Sequence, residues 1–191
     1  KKDNPSMALG TIENSLYDLT SAFNTIAAYG QKREPTTILS IKNAEGELIY
    51  EYEGPSDEQV ISKEDAFLLT HMMTGMFDPV FSDYSPATGV SLRPRMTQIY
   101  AAKSGTTVSD QWLIGYSPSL TAGVWNGYDQ GKTLSTSSDM SAHKQVWIDF
   151  MEKVHRDKKD ESFEVPDGIE GVMIDIETGK LATPSCPNQR L

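Results

Sequence analysis

The sequence has few residues of the kinds that build disulfide frameworks, metal clusters or membrane spans. It contains one cysteine, Cys186, which excludes an internal disulfide. Its three histidines, His71, His143 and His155, are scattered, and one thiol is too few for a structural zinc cluster, so we expect neither a metal nor another cofactor. No apolar run approaches the length of a transmembrane helix, and residues 1–4 do not resemble a signal peptide.

Positive charge is also scarce. The chain has 17 lysines and arginines against 27 acidic residues, and its net charge is -10. Nucleic acid is therefore excluded as a partner, because phosphate binding needs a basic surface, and attachment to anionic lipid is disfavoured for the same reason. The length of 191 residues, with 38% hydrophobic and 23% charged residues, is typical of one soluble globular domain or most of one.

The spacing of apolar residues predicts helices that alternate with strands. Helices are predicted over residues 14–29, from residue 62 to residue 76, and over residues 139–154. Strands are predicted over residues 36–42, 47–52, 96–102, 111–116, 120–125 and 172–176. Short turns join consecutive strands, so the predicted fold class is α+β, with helices packed on an antiparallel sheet.

Two local details refine this prediction. Ser62 and Asp65 have the spacing of an N-terminal cap for the second helix. In the third helix the amphipathic pattern places Trp147 and Phe150 on the face that covers the sheet, and we expect both in the core.

The most informative stretch is Lys103-Ser104-Gly105-Thr106-Thr107, at the end of a predicted strand. Alternation along a strand puts Lys103 and Gly105 on one face, and Ser104 and Thr106 on the other face or at the edge. A glycine lets a ligand lie against the backbone, and a free strand edge can bind an extended peptide as one more strand. Lys103 adds positive potential beside the hydroxyls of Ser104 and Thr106, and this combination favours a carboxylate ligand.

The order of several motifs resembles class A (bifunctional) penicillin-binding proteins, in the C-terminal part of their transpeptidase domain. The Lys103 stretch is similar to the third catalytic motif of that family, a Lys-Ser/Thr-Gly signature. Pro5–Thr11, with residues 21–23 and Gly30, resembles the segment between the second and third motifs. Further segments with the family's pattern are residues 110–118, 124–129, 147–151, 166–169 and 178–180.

The resemblance implies a penicillin-binding protein/serine β-lactamase-like fold and a D,D-transpeptidase activity. Such enzymes acylate a serine with a donor stem peptide that ends in D-Ala-D-Ala, and then transfer the acyl group to an amine on another peptidoglycan strand. Lys103 and Thr106 take the catalytic roles, the latter through its backbone N–H in the oxyanion hole. Ser104, Gly105, Thr106 and Thr107 take the substrate-binding role, and β-lactams are expected to act as substrate mimics.

Two motifs of this family are missing at usable positions. The chain has no Ser-x-Asn, and its one Ser-x-x-Lys, Ser141 to Lys144, follows the Lys103 motif although the nucleophile should precede it. On a helix this pair is typical of a solvated face. We therefore expect the nucleophile in an N-terminal half of the domain that precedes residue 1, and no acylation by this chain alone.

Two alternative functions remain open at this stage. One is a transpeptidase-like scaffold module without catalytic activity, and the other is a serine β-lactamase-like hydrolase. The tail at residues 163–191 favours the penicillin-binding proteins, because such hydrolases usually end near the closing helix. We expect residues 1–155 to be the C-terminal portion of the transpeptidase domain and residues 156–191 a tail. The expected location is the extracytoplasmic face of a bacterial membrane, with an upstream anchor.

Overall fold

A computed structural model describes residues 5–54, 58–82, 85–185 and 189–190. Cys186, for which the sequence predicts a loop, lies outside these residues. Three α-helices are present in the described residues: α1 (Leu16–Ala27), α2 (Lys63–Thr74) and α3 (Ser137–His155). The strands are β1 (Ser40–Lys42), β2 (Leu48–Glu51), β3 (Ala101–Thr106), β4 (Asp110–Tyr116), β5 (Thr121–Gly127), β6 (Ile174–Asp175) and β7 (Gln189–Arg190). Short 3-10 helices cover Pro5–Leu9, Gly75–Phe77, Pro79–Ser82 and Val90–Arg95.

The central layer is the antiparallel sheet β3-β4-β5, as predicted. Helix α3 covers one face, where Trp147 packs with Ala102 and Leu113 in the main core. Helices α1 and α2 cover the other face, where Ala101 and Tyr116 are buried. β1 and β2 form a separate antiparallel hairpin.

Polar side chains at the helix N-termini explain where two of the helices begin. Ser62 accepts a hydrogen bond from the Asp65 backbone N–H at 3.0 Å, as the sequence predicts. For α3 the cap is Thr136, whose hydroxyl accepts from the Asp139 N–H at 3.0 Å. The helix consequently starts at Ser137, two residues before the predicted boundary.

The predicted strand at residues 96–102 is mostly wrong, because β3 starts only at Ala101. The preceding segment binds α3 instead of a neighbouring strand. The Glu152 carboxylate accepts from the Thr97 N–H at 3.1 Å, the Thr97 hydroxyl at 2.6 Å and the Tyr100 hydroxyl at 2.9 Å. The Thr97 N–H, which would donate to a neighbouring strand in a sheet, is therefore bonded to a side chain of α3.

The prediction that Phe150 lies in the core is also wrong. Trp147 is fully buried, whereas Phe150 is 47% exposed and Val146 is 55% exposed on the outer side of the same helix. Helix α2 likewise presents Leu68 and Met72 to the surface, with Met72 74% exposed. The helices thus carry more apolar surface than the described part of the chain covers.

Candidate active site

Strand β3 is a terminal strand of the three-stranded sheet, so one of its edges has no partner strand among the described residues, and we call it the open edge. The Thr107 N–H donates to the Asp110 carbonyl at 2.9 Å, and this bond closes the turn to β4. Because backbone groups alternate in direction along an antiparallel strand, the N–H and C=O groups of Ser104 and Thr106 point away from β4, toward the open edge.

The side chains alternate as predicted. Ala101 belongs to the core on the α1–α2 side of the sheet, and Ala102 belongs to the core on the α3 side. By alternation Lys103 lies on the α1–α2 side and Ser104 lies on the α3 side. The exposed Lys103 ammonium donates to the Ser104 carbonyl at 2.7 Å, so its positive charge lies at the open edge.

The remaining residues of the motif are engaged within the sheet. A Cβ on Gly105 would lie 3.3 Å from the Trp112 Cβ, which is a tight contact across the two strands. The Thr106 hydroxyl donates to Gln111 Oε1 at 3.0 Å, and the Thr107 hydroxyl donates to Asp110 Oδ2 at 3.1 Å. Both threonine hydroxyls therefore donate their protons to side chains of the sheet. The Ser104 hydroxyl is the remaining hydroxyl of the motif that can bind a ligand.

Two residues that the sequence analysis did not assign lie behind Ser104. The Thr88 hydroxyl is 2.9 Å from the Ser104 hydroxyl. The Lys144 ammonium, on α3, donates to the Thr88 carbonyl at 2.7 Å. Thr88 stands 16 residues before Ser104 in a loop-rich stretch, so no local pattern could have signalled this contact.

The Ser141-x-x-Lys144 pattern lies on α3, and its two polar groups have separate partners. The Ser141 hydroxyl donates to the Ser137 carbonyl at 2.9 Å, whereas Lys144 binds Thr88. The structure therefore gives Ser141 an ordinary hydrogen bond along the helix.

A second serine lies beside a histidine but has a structural role. The Ser117 hydroxyl is 2.9 Å from His155 Nε2, and His155 Nδ1 is 2.7 Å from the Met151 carbonyl. Both side chains are buried, and the Ser117 oxygen also accepts from the Leu120 N–H at 3.1 Å in the β4–β5 turn. Ser117 thus joins this turn to the end of α3.

His143 is a buried histidine with a displaced pKa. Burial, reinforced by the positive charge of Lys144, lowers its pKa from 6.5 to about 4. Both of its ring nitrogens are buried without a hydrogen-bond partner among the described residues. The folded chain therefore holds His143 neutral, while the unfolded chain binds a proton below its ordinary pKa.

We expect this difference to make folding sensitive to acid. Since the unfolded state binds more protons between pH 6.5 and pH 4, the contribution is fully present above pH 6.5 and is lost as the pH falls toward 4, by up to about 3 kcal/mol. Urea unfolding across this pH range measures the slope. His143→Phe should flatten it, and His71→Phe, at an exposed position, is the control. An unchanged slope in His143→Phe would contradict the assignment.

Comparison with known proteins gives matches over almost the whole chain. A family profile described as "Penicillin-binding protein 1A, C-terminal domain" matches residues 165–191. Penicillin-binding protein 2D of Bacillus subtilis is 41% identical over 95% of this chain and 26% of its own length. Penicillin-binding protein 1A of Haemophilus influenzae, a solved structure, has a TM-score of 0.85 at 19% identity and covers 98% of this chain and 33% of its own.

A third match is a solved transpeptidase domain. The D,D-transpeptidase domain of a peptidoglycan glycosyltransferase from Eggerthella lenta has a TM-score of 0.54 at 18% identity, over 74% of this chain and 32% of that one. The fold is thus that of a transpeptidase domain of penicillin-binding proteins.

The chain belongs to the penicillin-binding protein family, and it corresponds to the C-terminal part of the transpeptidase domain in the class A members. It spans about a quarter of the length of the curated relatives that it matches (26% for the Bacillus subtilis protein). No helix in the described ranges is long and apolar enough to cross a bilayer.

Proposed function

We propose that this chain provides the substrate-binding edge strand of a serine D,D-transpeptidase that cross-links peptidoglycan stem peptides. One observation carries the proposal: the Lys103–Thr106 motif lies on the terminal strand of the sheet, with the backbone groups of Ser104 and Thr106 directed outward. An extended D-Ala-D-Ala peptide can add to such an edge by main-chain hydrogen bonds. The nucleophilic serine comes from the part of the domain that precedes residue 1.

The proposed chemistry has two acyl transfers. The serine oxygen attacks the carbonyl carbon of the penultimate D-alanine, the C–N bond to the terminal D-alanine breaks, and the serine proton passes to the departing amine. An acceptor amine on a second stem peptide then attacks the ester carbonyl carbon, the C–O bond to the serine breaks, and a proton from the amine passes to the serine oxygen. The outward N–H of Thr106 supplies one oxyanion donor, and Ser104 binds the terminal carboxylate, with Lys103 adding positive charge at the same edge.

The surroundings of this strand support a partner within the same domain. Leu68 and Met72 on α2, and Val146 and Phe150 on α3, are exposed apolar side chains on two opposite sides of the sheet. Exposed apolar surface of this kind marks a contact surface. We assign it to the N-terminal half of the transpeptidase domain. Residues 156–191 remain a C-terminal tail in this proposal, and its Phe163 packs against Tyr116 in the core.

The setting follows from the same proposal. The substrate is cell-wall peptide, so the site works on the extracytoplasmic side of the bacterial membrane, where an upstream segment anchors the protein. β-Lactams resemble the D-Ala-D-Ala end and acylate the same serine.

Covalent labelling tests the proposal. A fluorescent penicillin is incubated with this chain and with an upstream-extended protein, defined as this chain joined to the preceding part of the domain that its relatives carry. Intact mass then reports acylation. We expect labelling of the upstream-extended protein only. Labelling of this chain at Ser141 would overturn the position of the nucleophile, labelling with rapid deacylation would favour a β-lactamase-like hydrolase, and no labelling of either would favour a scaffold module.

A further inference from the structure

The segment around Thr88 is fixed to two other elements of the fold, helix α3 and the 3-10 helix Gly75–Phe77. The Lys144 ammonium on α3 donates to the Thr88 carbonyl at 2.7 Å. The Gly89 N–H donates to the Met76 carbonyl at 3.1 Å, next to α2. A Cβ on Gly89 would come within 2.7 Å of the Phe77 ring, so the backbone is pressed against the core at this point.

Because the backbone is fixed at Thr88 and Gly89, the position of the Thr88 hydroxyl is defined even though the side chain is exposed. The hydroxyl lies 2.9 Å from the Ser104 hydroxyl, across a gap of 16 residues in the sequence. A hydroxyl has one proton to donate and two lone pairs that accept. Of two hydroxyls in contact, one therefore donates to the other, and only the second keeps its proton for a further partner.

We infer that Thr88 is a positioning residue that holds the Ser104 hydroxyl as a donor toward the substrate carboxylate, with Lys144 fixing Thr88 in turn. Thr88 donates to the Ser104 oxygen, which leaves the Ser104 proton free for the carboxylate. Hydrogen bonds in such a chain polarise one another, and a bond to a carboxylate is stronger than a neutral one. The inference rests on the carboxylate role that the proposed function gives to Ser104.

The half-buried ammonium of Lys144 fits this supporting role. Burial lowers the pKa of Lys144 from its ordinary value, and a lysine in that position needs a fixed acceptor. The Thr88 carbonyl is that acceptor. The Ser141-x-x-Lys144 pattern thus contributes its lysine to the site from behind the strand rather than as part of a nucleophile motif.

The test measures the second-order rate constant for acylation of the upstream-extended protein by benzylpenicillin. Thr88→Val keeps the branched shape but removes the hydroxyl, and we expect acylation about tenfold slower, the size of one lost hydrogen bond. Thr88→Ser keeps a hydroxyl and should restore acylation to within about twofold. Thr88→Val in a Ser104→Ala background should cause no further loss, because the hydroxyl that Thr88 orients is already gone.

Lys144→Met should also slow acylation, as Thr88→Val does. Its matched control is Lys153→Met, at an exposed position on the same helix. A rate unchanged in Thr88→Val would overturn the inference alone. An equal loss from Thr88→Val in both backgrounds, as a folding defect would cause, would overturn it too. If the unsubstituted protein is not acylated, the proposed function fails, and the inference falls with it.

Discussion

Lys103→Ala in the upstream-extended protein is expected to slow acylation by benzylpenicillin about a hundredfold or more, the usual effect of removing a group that stabilises charge in an acyl-transfer site. The reason is the position of the ammonium. It is exposed at the open edge of β3, 2.7 Å from the Ser104 carbonyl, where it faces the ligand that the strand would bind. Stopped-flow or gel-based labelling at several penicillin concentrations measures the rate constant.

A second lysine provides the control for this experiment. The Lys132 ammonium lies 4.9 Å from the centre of the Tyr128 ring, beyond the end of β5. Lys132→Ala removes the same charge from the protein without touching the motif, so its acylation rate should stay within about twofold of the unsubstituted protein, as for other changes at exposed positions. Equal rates for Lys103→Ala and Lys132→Ala would show that the motif is not the reacting edge.

The second large effect concerns stability. Trp147→Ala is expected to lower the free energy of unfolding by about 3–5 kcal/mol, since it removes a large buried side chain and leaves a cavity. Trp147 is fully buried, its ring centre is 5.3 Å from that of Tyr100, and its indole N–H donates to the Ala122 carbonyl at 3.0 Å. It therefore connects α3 to the sheet by both packing and a hydrogen bond.

Urea unfolding followed by circular dichroism measures this loss without depending on tryptophan fluorescence. Lys153→Ala, at an exposed position of the same helix, should change the free energy of unfolding by less than about 0.5 kcal/mol. A Trp147→Ala protein as stable as the Lys153→Ala control would mean that α3 does not hold the sheet in solution.

Local signals in the sequence were sufficient for much of the fold. The cap at Ser62 and Asp65 and the strands β4 and β5 depend on neighbouring residues, and the structure confirms them. The alternation of Lys103 with Ser104 could be predicted for the same reason. Strand periodicity decides which side chains share a face before any tertiary contact is known.

The features that the sequence did not reveal depend on distant residues. Whether residues 96–100 form a strand is decided by Glu152, which lies on α3. Phe150 is exposed because the apolar stripe of α3 is wider than the sheet that the helix covers. Thr88 and Ser104 come into contact only when the chain folds. The sequence therefore indicated the strand that carries the candidate site, but not the residues that hold Ser104 in place.

The hydrogen bond from Lys103 to the Ser104 carbonyl also bears on how an open sheet edge avoids unwanted association. An exposed edge strand is a template on which other chains can pair, and a lysine there is one of the ways in which proteins discourage it. In this chain the ammonium takes up an outward carbonyl that an arriving strand would need as an acceptor. A strand that pairs here therefore meets Lys103 at this carbonyl. A ligand with a carboxylate at this position offers the ammonium a favourable partner, whereas a chain without one does not. The same lysine would thus admit the substrate and protect the edge from aggregation.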